Sequence, residues 1–186
     1  IWFSVPSLLN FILNLNSPKV FKKLKLKKFI FGGEPFPLIS ARKIFKHKAD
    51  IDFYNVSGPT ECTCICSAHK ISKRELMQEQ NQYIGKINNY FKYKIIPSFK
   101  NDKIGELFLE GPAVSEGYIN DKKKTKEKFY KTKKFLGYKT GDIVQKFNKN
   151  LFKIIGRLDN QIKISGHRIE IEEIENTINK VFNLDQ

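Results

Sequence analysis

Arginine is nearly missing from this otherwise basic chain: only Arg42, Arg74, Arg157 and Arg168 among 34 basic residues, the remainder being lysine. A formal net charge of +15 would ordinarily point to nucleic acid or an anionic membrane. Readers of bases and phosphates lean on the rigid arginine fork, so this composition argues against nucleic acid as a partner. Lysine, isoleucine, asparagine and phenylalanine are all abundant and all have A/T-rich codons, which accounts for the charge through genome composition. Long apolar runs are also lacking. Residues 1–15 are apolar but broken by Ser4, Pro6, Ser7, Asn10 and Asn14, and the stretch falls short of the roughly 20 residues that cross a bilayer. No spanning or secretory segment is visible, so a cytoplasmic enzyme or module without a membrane partner is expected.

Cysteine is sparse and clustered. Cys62, Cys64 and Cys66 with His69 suggest a zinc site at first glance. On a strand, alternate residues lie about 6.6 Å apart, whereas two sulfurs on one zinc at ~2.3 Å sit about 3.8 Å apart. The expectation is therefore three small buried thiols on one face and no metal. The lysine clusters Lys22 to Lys28 and Lys122 to Lys134 lack the aromatic interleaving of a single-strand binder, and read as solvated faces.

What is present is punctuation at informative places. Ser7 to Leu15 reads as a short amphipathic helix, and Leu24 to Phe31 as a strand ending in Gly32-Gly33-Glu34. Pro35 and Pro37 open a helix over Leu38 to Lys48, and Ile51 to Asn55 forms the next strand. Strand, helix, strand at this spacing predicts a parallel α/β unit, whose ligands lie at the carboxyl edge of the sheet. From Tyr93 the pattern changes to short strands, Tyr93 to Ile96, Gly105 to Glu110, Tyr138 to Gln145 and Leu151 to Ile155, which predicts an antiparallel or barrel-like β portion. Gln161 to Ser165 reads as a further strand. The apolar spacing of Ile171, Ile174, Ile178 and Val181 predicts a helix over Arg168 to Val181, with Glu170, Glu172 and Glu173 favouring its start. The chain opens on Ile1 inside an apolar segment and closes on Gln186 just past that pattern, which reads as a piece of a larger protein.

Three segments carry chemistry. Gly58-Pro59 forces a tight turn after Asn55-Val56-Ser57, delivering Thr60 and Glu61 at the mouth of a strand-turn-strand junction. Thr140-Gly141-Asp142 and Gly156-Arg157-Leu158-Asp159 supply further carboxylates and a guanidinium. Hard cations take carboxylate oxygens and phosphates take N–H and O–H donors, so the set suits a nucleotide with Mg²⁺. Taken singly, each has a purely structural alternative: Asp142 bonding its own backbone, Glu61 capping a turn, Arg157 in a surface pair.

Phe31-Gly32-Gly33-Glu34, Asn55 to Glu61, Gly105-Glu106-Leu107 with Gly117-Tyr118, Tyr138 to Asp142, and Gly156 to Glu175 occur in one order along nearly the whole chain. Together they resemble the adenylate-forming superfamily, in particular its amino-acid-activating branch of peptide-synthetase adenylation domains and D-alanine:carrier-protein ligases. The resemblance implies an α/β fold: residues 1–158 as the C-terminal part of a large AMP-binding domain, and 159–186 as the start of a small α+β domain. Within the first, 1–92 would be the parallel α/β portion and 93–158 the β-barrel-like portion. It also implies roles. Glu61 would be the Mg²⁺-associated carboxylate, Thr60 a phosphate contact, Asp142 the acid that holds both ribose hydroxyls, and Arg157 the cation near ribose and phosphate. Gly33, Glu34, Asn55, Val56, Ser57, Gly58, Pro59 and Ile154 would border the nucleotide. Ile30, Gly32, Val56, Cys64 and Ile65 would line the acyl pocket, suiting a modest uncharged side chain, and Asp159 would be the interdomain hinge.

The implied reaction uses ATP and Mg²⁺ to activate an amino acid and passes it to the phosphopantetheine thiol of a carrier protein or domain. Ser57 stands where the family usually has the tyrosine that stacks on adenine, a loss of about 1–3 kcal/mol by analogy with base-aromatic stacking. Either a neighbour such as Tyr54 or Phe53 substitutes, or ATP binds more weakly. The family's phosphate loop and catalytic lysine would fall outside residues 1–186, so the isolated chain is expected to show no substrate-dependent pyrophosphate exchange. The alternatives are an acyl-CoA or aryl-acid ligase of the same superfamily, or a non-catalytic binding module descended from one.

Overall fold

A computed structural model describes residues 1–15, 17–78, 83–97 and 102–182. The N-terminal half is a sheet with helices packed on one face. Strands β1 (Trp2–Ser4), β2 (Lys28–Gly32) and β3 (Asp52–Ser57) run parallel, and β4 (Ser67–Ile71) and β5 (Lys86–Ile87) extend the sheet antiparallel, in the order β1-β2-β3-β4-β5. Helices α1 (Pro6–Leu15), α2 (Val20–Lys23), α3 (Leu38–His47) and α4 (Lys73–Met77) connect these strands. Period-two alternation decides the packing. Phe29, Phe31 and Phe53 point to one face and bury with Leu9, Phe21, Ala41, Ile44 and Leu76. The rings of Phe29, Phe31 and Phe53 lie 5.7–5.9 Å apart in stacked or tilted pairs, an arrangement that adds to area burial.

The second half is an antiparallel sheet ordered β10-β9-β7-β6, from β6 (Lys92–Pro97), β7 (Ile104–Gly111), β9 (Leu136–Lys146) and β10 (Phe152–Arg157). Helix α5 (Lys122–Lys128) leads into β8 (Phe129–Lys131), which pairs with the start of β9. The core here gathers Leu107, Leu109, Phe129, Tyr138, Val144 and Phe152, with Cys62 and Cys66 from the turn after β3. A hairpin of β11 (Gln161–Ile164) and β12 (His167–Glu170) follows, and then α6 (Ile171–Phe182).

Three expectations change, while the lysine-rich 122–134 stretch keeps its solvated face. The strand after α2 begins at Lys28, because only there do β1 and β3 offer hydrogen-bonding partners; Leu24 instead caps α2 in extended conformation. Arg168 to Glu170 are strand, paired with Gln161 to Lys163, so the last helix starts at Ile171. Glu170 is thus no helix starter: its Oε1 accepts from Gln161 Nε2 at 2.6 Å. The three cysteines do not share a strand face. Thr60–Cys62 form a 3₁₀ turn and Thr63 and Cys64 are left-handed, which buries Cys62 and Cys66 and exposes Cys64. The lysine-rich 122–134 stretch resolves into α5, capped by Asp121 Oδ1 accepting from the Lys124 amide, and β8.

Candidate functional site

The carboxyl ends of β2 and β3, the facing parts of β9 and β10, and strand β11 of the hairpin line an open cleft of about 890 Å³. Gly33, Glu34, Asn55, Val56, Ser57, Gly58, Ile154, Arg157, Asp142 and Asp159 all border it. It lies at the carboxyl edge of the parallel strands, the position expected for a ligand in an open α/β sheet.

Asp142 is aimed by a break in the ladder. Between Glu106 and Phe108 the β7–β9 register shifts, so Thr140, Gly141 and Asp142 bulge from β9; β10 is irregular between Ile154 and Gly156. Bulges re-aim side chains in this way beside functional sites. Thr140 Oγ1 donates to Leu107 O at 2.7 Å and the Gly141 amide to Glu106 Oε1 at 2.9 Å, fixing the bulge from inside. Gly141 takes φ +74°, and an added Cβ would sit 2.9 Å from Arg157 Nη2 and Asp159 Oδ2. Asp142 and Arg157 are register partners across the strands, and Arg157 Nη1 donates to Asp142 Oδ1 at 2.5 Å. Nε and Nη2 of the same guanidinium grip Asp159 at 2.6 and 2.9 Å, the bidentate pairing for which arginine is suited. Burial nonetheless keeps Asp142 above the ordinary carboxylate range, although Arg157 and Lys163 pull the other way. Asp159 lies below it: burial is outweighed by the Arg157 hydrogen bonds.

The second cluster surrounds Glu61. The chain turns at Gly58, where a Cβ would come within 2.6 Å of Cys64 O and the Cys66 amide, so only glycine allows this crossing. Glu61 follows in the 3₁₀ turn with its side chain 6% exposed. Its Oε1 accepts from Tyr118 Oη at 2.6 Å and from Arg168 Nη1 at 2.8 Å. Oε2 is buried with no hydrogen-bond partner among the described residues. Burial raises the Glu61 carboxyl, yet the Tyr118 and Arg168 hydrogen bonds win and hold it below its usual range. The Tyr118 hydroxyl is pushed up to about 12 by burial and by its bond to Glu61, and it also lies 3.2 Å from the Tyr138 hydroxyl.

Two positions expected at the nucleotide, Pro59 and Thr60, continue past the cleft's lining with Glu61, and Thr60 is exposed. Glu34 borders the cleft but both its oxygens are engaged: Ser7 donates from its amide and hydroxyl, and the Gly166 amide donates at 2.5 Å. Of the expected acyl-pocket set, only Val56 borders this cleft. Ile30 and Gly32 share the sheet face opposite the helices with it, through the Gly32–Val56 register, while Cys64 and Ile65 lie exposed in the turn. Neither Tyr54 nor Phe53 borders the cleft. Phe53 is buried under the helices, and Tyr54 lies near Lys28 Nζ, 5.9 Å from its ring centroid. Phe36, Ile84, Ile162 and Ile171 give the cleft an apolar lining that no sequence signal assigned. Arg168, Tyr118 and Lys163 lie inside the recurring motifs, and the motifs assign them no role.

Residues 1–119 match the AMP-binding enzyme family. This chain belongs to that family. As a member of the AMP-binding enzyme family it is 35% identical over 185 residues to the D-alanine–D-alanyl carrier protein ligase of Streptococcus equi subsp. equi, strain 4047. The ligase of the same name from Streptococcus pyogenes serotype M3 is 34% identical over 184 residues. Each alignment takes in 97% of this chain and 36% of the relative, so the AMP-binding chain spans about a third of the length of these curated relatives. Among solved structures it superposes on the Vibrio cholerae adenylation domain AlmE, in complex with glycyl-adenosine-5'-phosphate, with TM-score 0.83 and 27% identity, covering 100% of this chain and 36% of that one. The holo-PA1221 structure, a protein with adenylation and carrier domains, gives 0.81 at 24% identity, covering 95% and 32%, a likeness of fold.

Proposed function

We propose that this chain contributes the nucleotide-holding part of an ATP-dependent ligase that activates a small amino acid as its adenylate and loads it onto a carrier-protein thiol. The observation that carries the reading is the single cleft that joins Asp142, Arg157 and Asn55–Gly58 in a chain of the AMP-binding family. A carboxylate suits a vicinal diol because its two oxygens accept from both hydroxyls, and only one Asp142 oxygen is held by Arg157. Arg157 stays positive beside it and offers charge to the neighbouring phosphate. The apolar residues Phe36, Ile84 and Ile154 supply a floor for the base in place of an aromatic platform at Ser57. The chain's positive field favours a polyanionic nucleotide.

The donor chemistry fits a magnesium ion at Glu61, because Oε2 is a buried carboxylate oxygen with no partner among the described residues. Glu61 would hold it, and Tyr118 would steady the carboxylate in place. When bound, the ion would neutralise charge on the phosphates. In this reading the substrate carboxylate attacks the α-phosphorus, pyrophosphate leaves, and the acyl group passes from AMP to a phosphopantetheine thiol. Chemistry of this kind is largely positioning and charge stabilisation. Residues 1–158 form the large domain, Asp159 the hinge and 159–186 the start of the small domain. The names of the relatives and the glycyl adenylate of the neighbour point to D-alanine or glycine as the substrate class. No helix among the described residues is long and apolar enough to cross a membrane, and the proposal places the ligase in the cytoplasm beside its ATP.

The test is ATP–pyrophosphate exchange by the polypeptide that carries this chain. D-alanine or glycine should stimulate exchange, and D142N should lower it by at least about tenfold, or about 1.4 kcal/mol. Stimulation by aryl or fatty acids alone would transfer the assignment to an acyl-CoA or aryl-acid ligase.

A further inference from the structure

The β11–β12 hairpin is seated on the body of the protein by two acids. Glu34 accepts from the Gly166 amide at the hairpin tip, and Glu61 accepts from Arg168 on β12. Between the two contacts Val5 packs under the tip, 3.2 Å from where a Gly166 Cβ would stand. Arg168 therefore places a positive charge on the one carboxylate whose second oxygen is buried and unpartnered among the described residues. Arg168 is also close to Glu170, with Nη2 3.6 Å from Oε1, so its guanidinium bridges hairpin and body.

From this geometry we infer that Arg168 is a positioning residue acting through Glu61: with the hairpin seated it takes the place of the metal's charge, so seating and divalent-cation binding at Glu61 oppose each other. The inference rests on the proposed metal role of Glu61. Its physical basis is charge: a second cation on Oε2 would stand within a few ångströms of the guanidinium in a buried setting, where repulsion is weakly screened. Such coupling is reciprocal, so the metal loosens the hairpin by the same factor by which the hairpin weakens the metal. The 161–170 segment then reports which ligand Glu61 holds.

The test uses the full ¹⁵N-labelled chain with Mn²⁺ as a paramagnetic probe and Mg²⁺ as a diamagnetic competitor. In the wild type, broadening of the Thr60–Thr63 amides should build up together with loss of exchange protection at the Gly166 amide. R168Q should reach half-broadening at a Mn²⁺ concentration at least about fivefold lower, with Gly166 unprotected from the start. R168K keeps the charge and should return toward the wild-type midpoint, which a packing role for the arginine stem would not produce. Arg168 is 36% exposed on a peripheral hairpin and E61Q is close in shape, so these variants keep the core intact. Equal midpoints for wild type and R168Q, or a Gly166 amide that stays protected while Mn²⁺ saturates, would overturn the inference. E61Q separates it from its basis. A wild-type midpoint in E61Q removes the metal reading of Glu61 and the inference with it. Lost Mn²⁺ binding in E61Q beside a wild-type midpoint in R168Q leaves the metal reading standing and ends the inference alone.

Discussion

Glu61 is a buried carboxylate and Asp142 a partly buried one, and their surroundings drive them in opposite directions. Burial raises each. At Glu61 it is overcome by Tyr118 and Arg168, whereas at Asp142 it prevails over Arg157. The consequences for stability have opposite sign. Glu61, lowered in the folded state, stabilises the fold above the ordinary glutamate value of about 4.3, and that contribution is lost as pH falls through the folded value. Asp142, raised in the folded state, favours the fold when protonated, and its contribution declines as pH climbs from about 3.9 through the folded value. A carboxyl ¹³C titration should therefore find Asp142 titrating above the free aspartate range and Glu61 below the free glutamate range. R157Q should raise Asp142 further, and R168Q should raise Glu61; an Asp142 below, or a Glu61 above, its free value in the wild type would contradict these placements. Tyr118→Phe removes the shortest hydrogen bond on Glu61 and should cost about 1–3 kcal/mol in denaturant unfolding, because it leaves the acid and the buried Tyr138 hydroxyl short of a partner. An unchanged midpoint would show that solvent already satisfies both groups.

At the scale of elements, the bulge in β9 carries the site. Gly141→Ala forces a β-carbon into left-handed backbone and against the Arg157–Asp159 pair, and should destabilise the protein by about 1–3 kcal/mol. In thermal unfolding of a domain this size that is a drop of several degrees, about 2–4 °C per kcal/mol; full stability would mean the bulge rearranges freely. The parallel unit β2-α3-β3 was legible because its apolar alternation, glycines and prolines are local signals. Strands β4 and β5 were not, since Ser67–Ile71 and Lys86–Ile87 are short and polar and exist through pairing with neighbours. Ile169 and Ile171 fit a period of two as well as a helical start, and the ladder with β11 decides in favour of strand up to Glu170. Motif order gave Asp142 and Arg157, and the strand register then brought them opposite one another. The Glu61–Arg168 pair joins positions 107 residues apart, a separation at which no local pattern speaks. The cysteine turn was hidden for a different reason: left-handed Thr63 and Cys64 are unusual for their residue types.

Across the whole molecule, two sheets with separate cores meet at one cleft, and the hairpin covers it by reaching acids on the first body. The large positive charge is spread over lysines, while three of the four arginines make short, directed contacts: Arg157 with Asp142 and Asp159, Arg168 with Glu61, and Arg42 with the Leu76 carbonyl at the end of α4. Of these only Arg157 borders the cleft, and surface charge that is diffuse suits a small anionic ligand at such a directed cation better than a polymer. The proposed adenylate site puts Asp142 at the ribose. The most direct measurement is a calorimetric titration of the chain with AMP, repeated on D142N. AMP should bind saturably, and D142N should weaken it by about tenfold or more, at least about 1.4 kcal/mol. Equal AMP affinity in the wild type and D142N would contradict it.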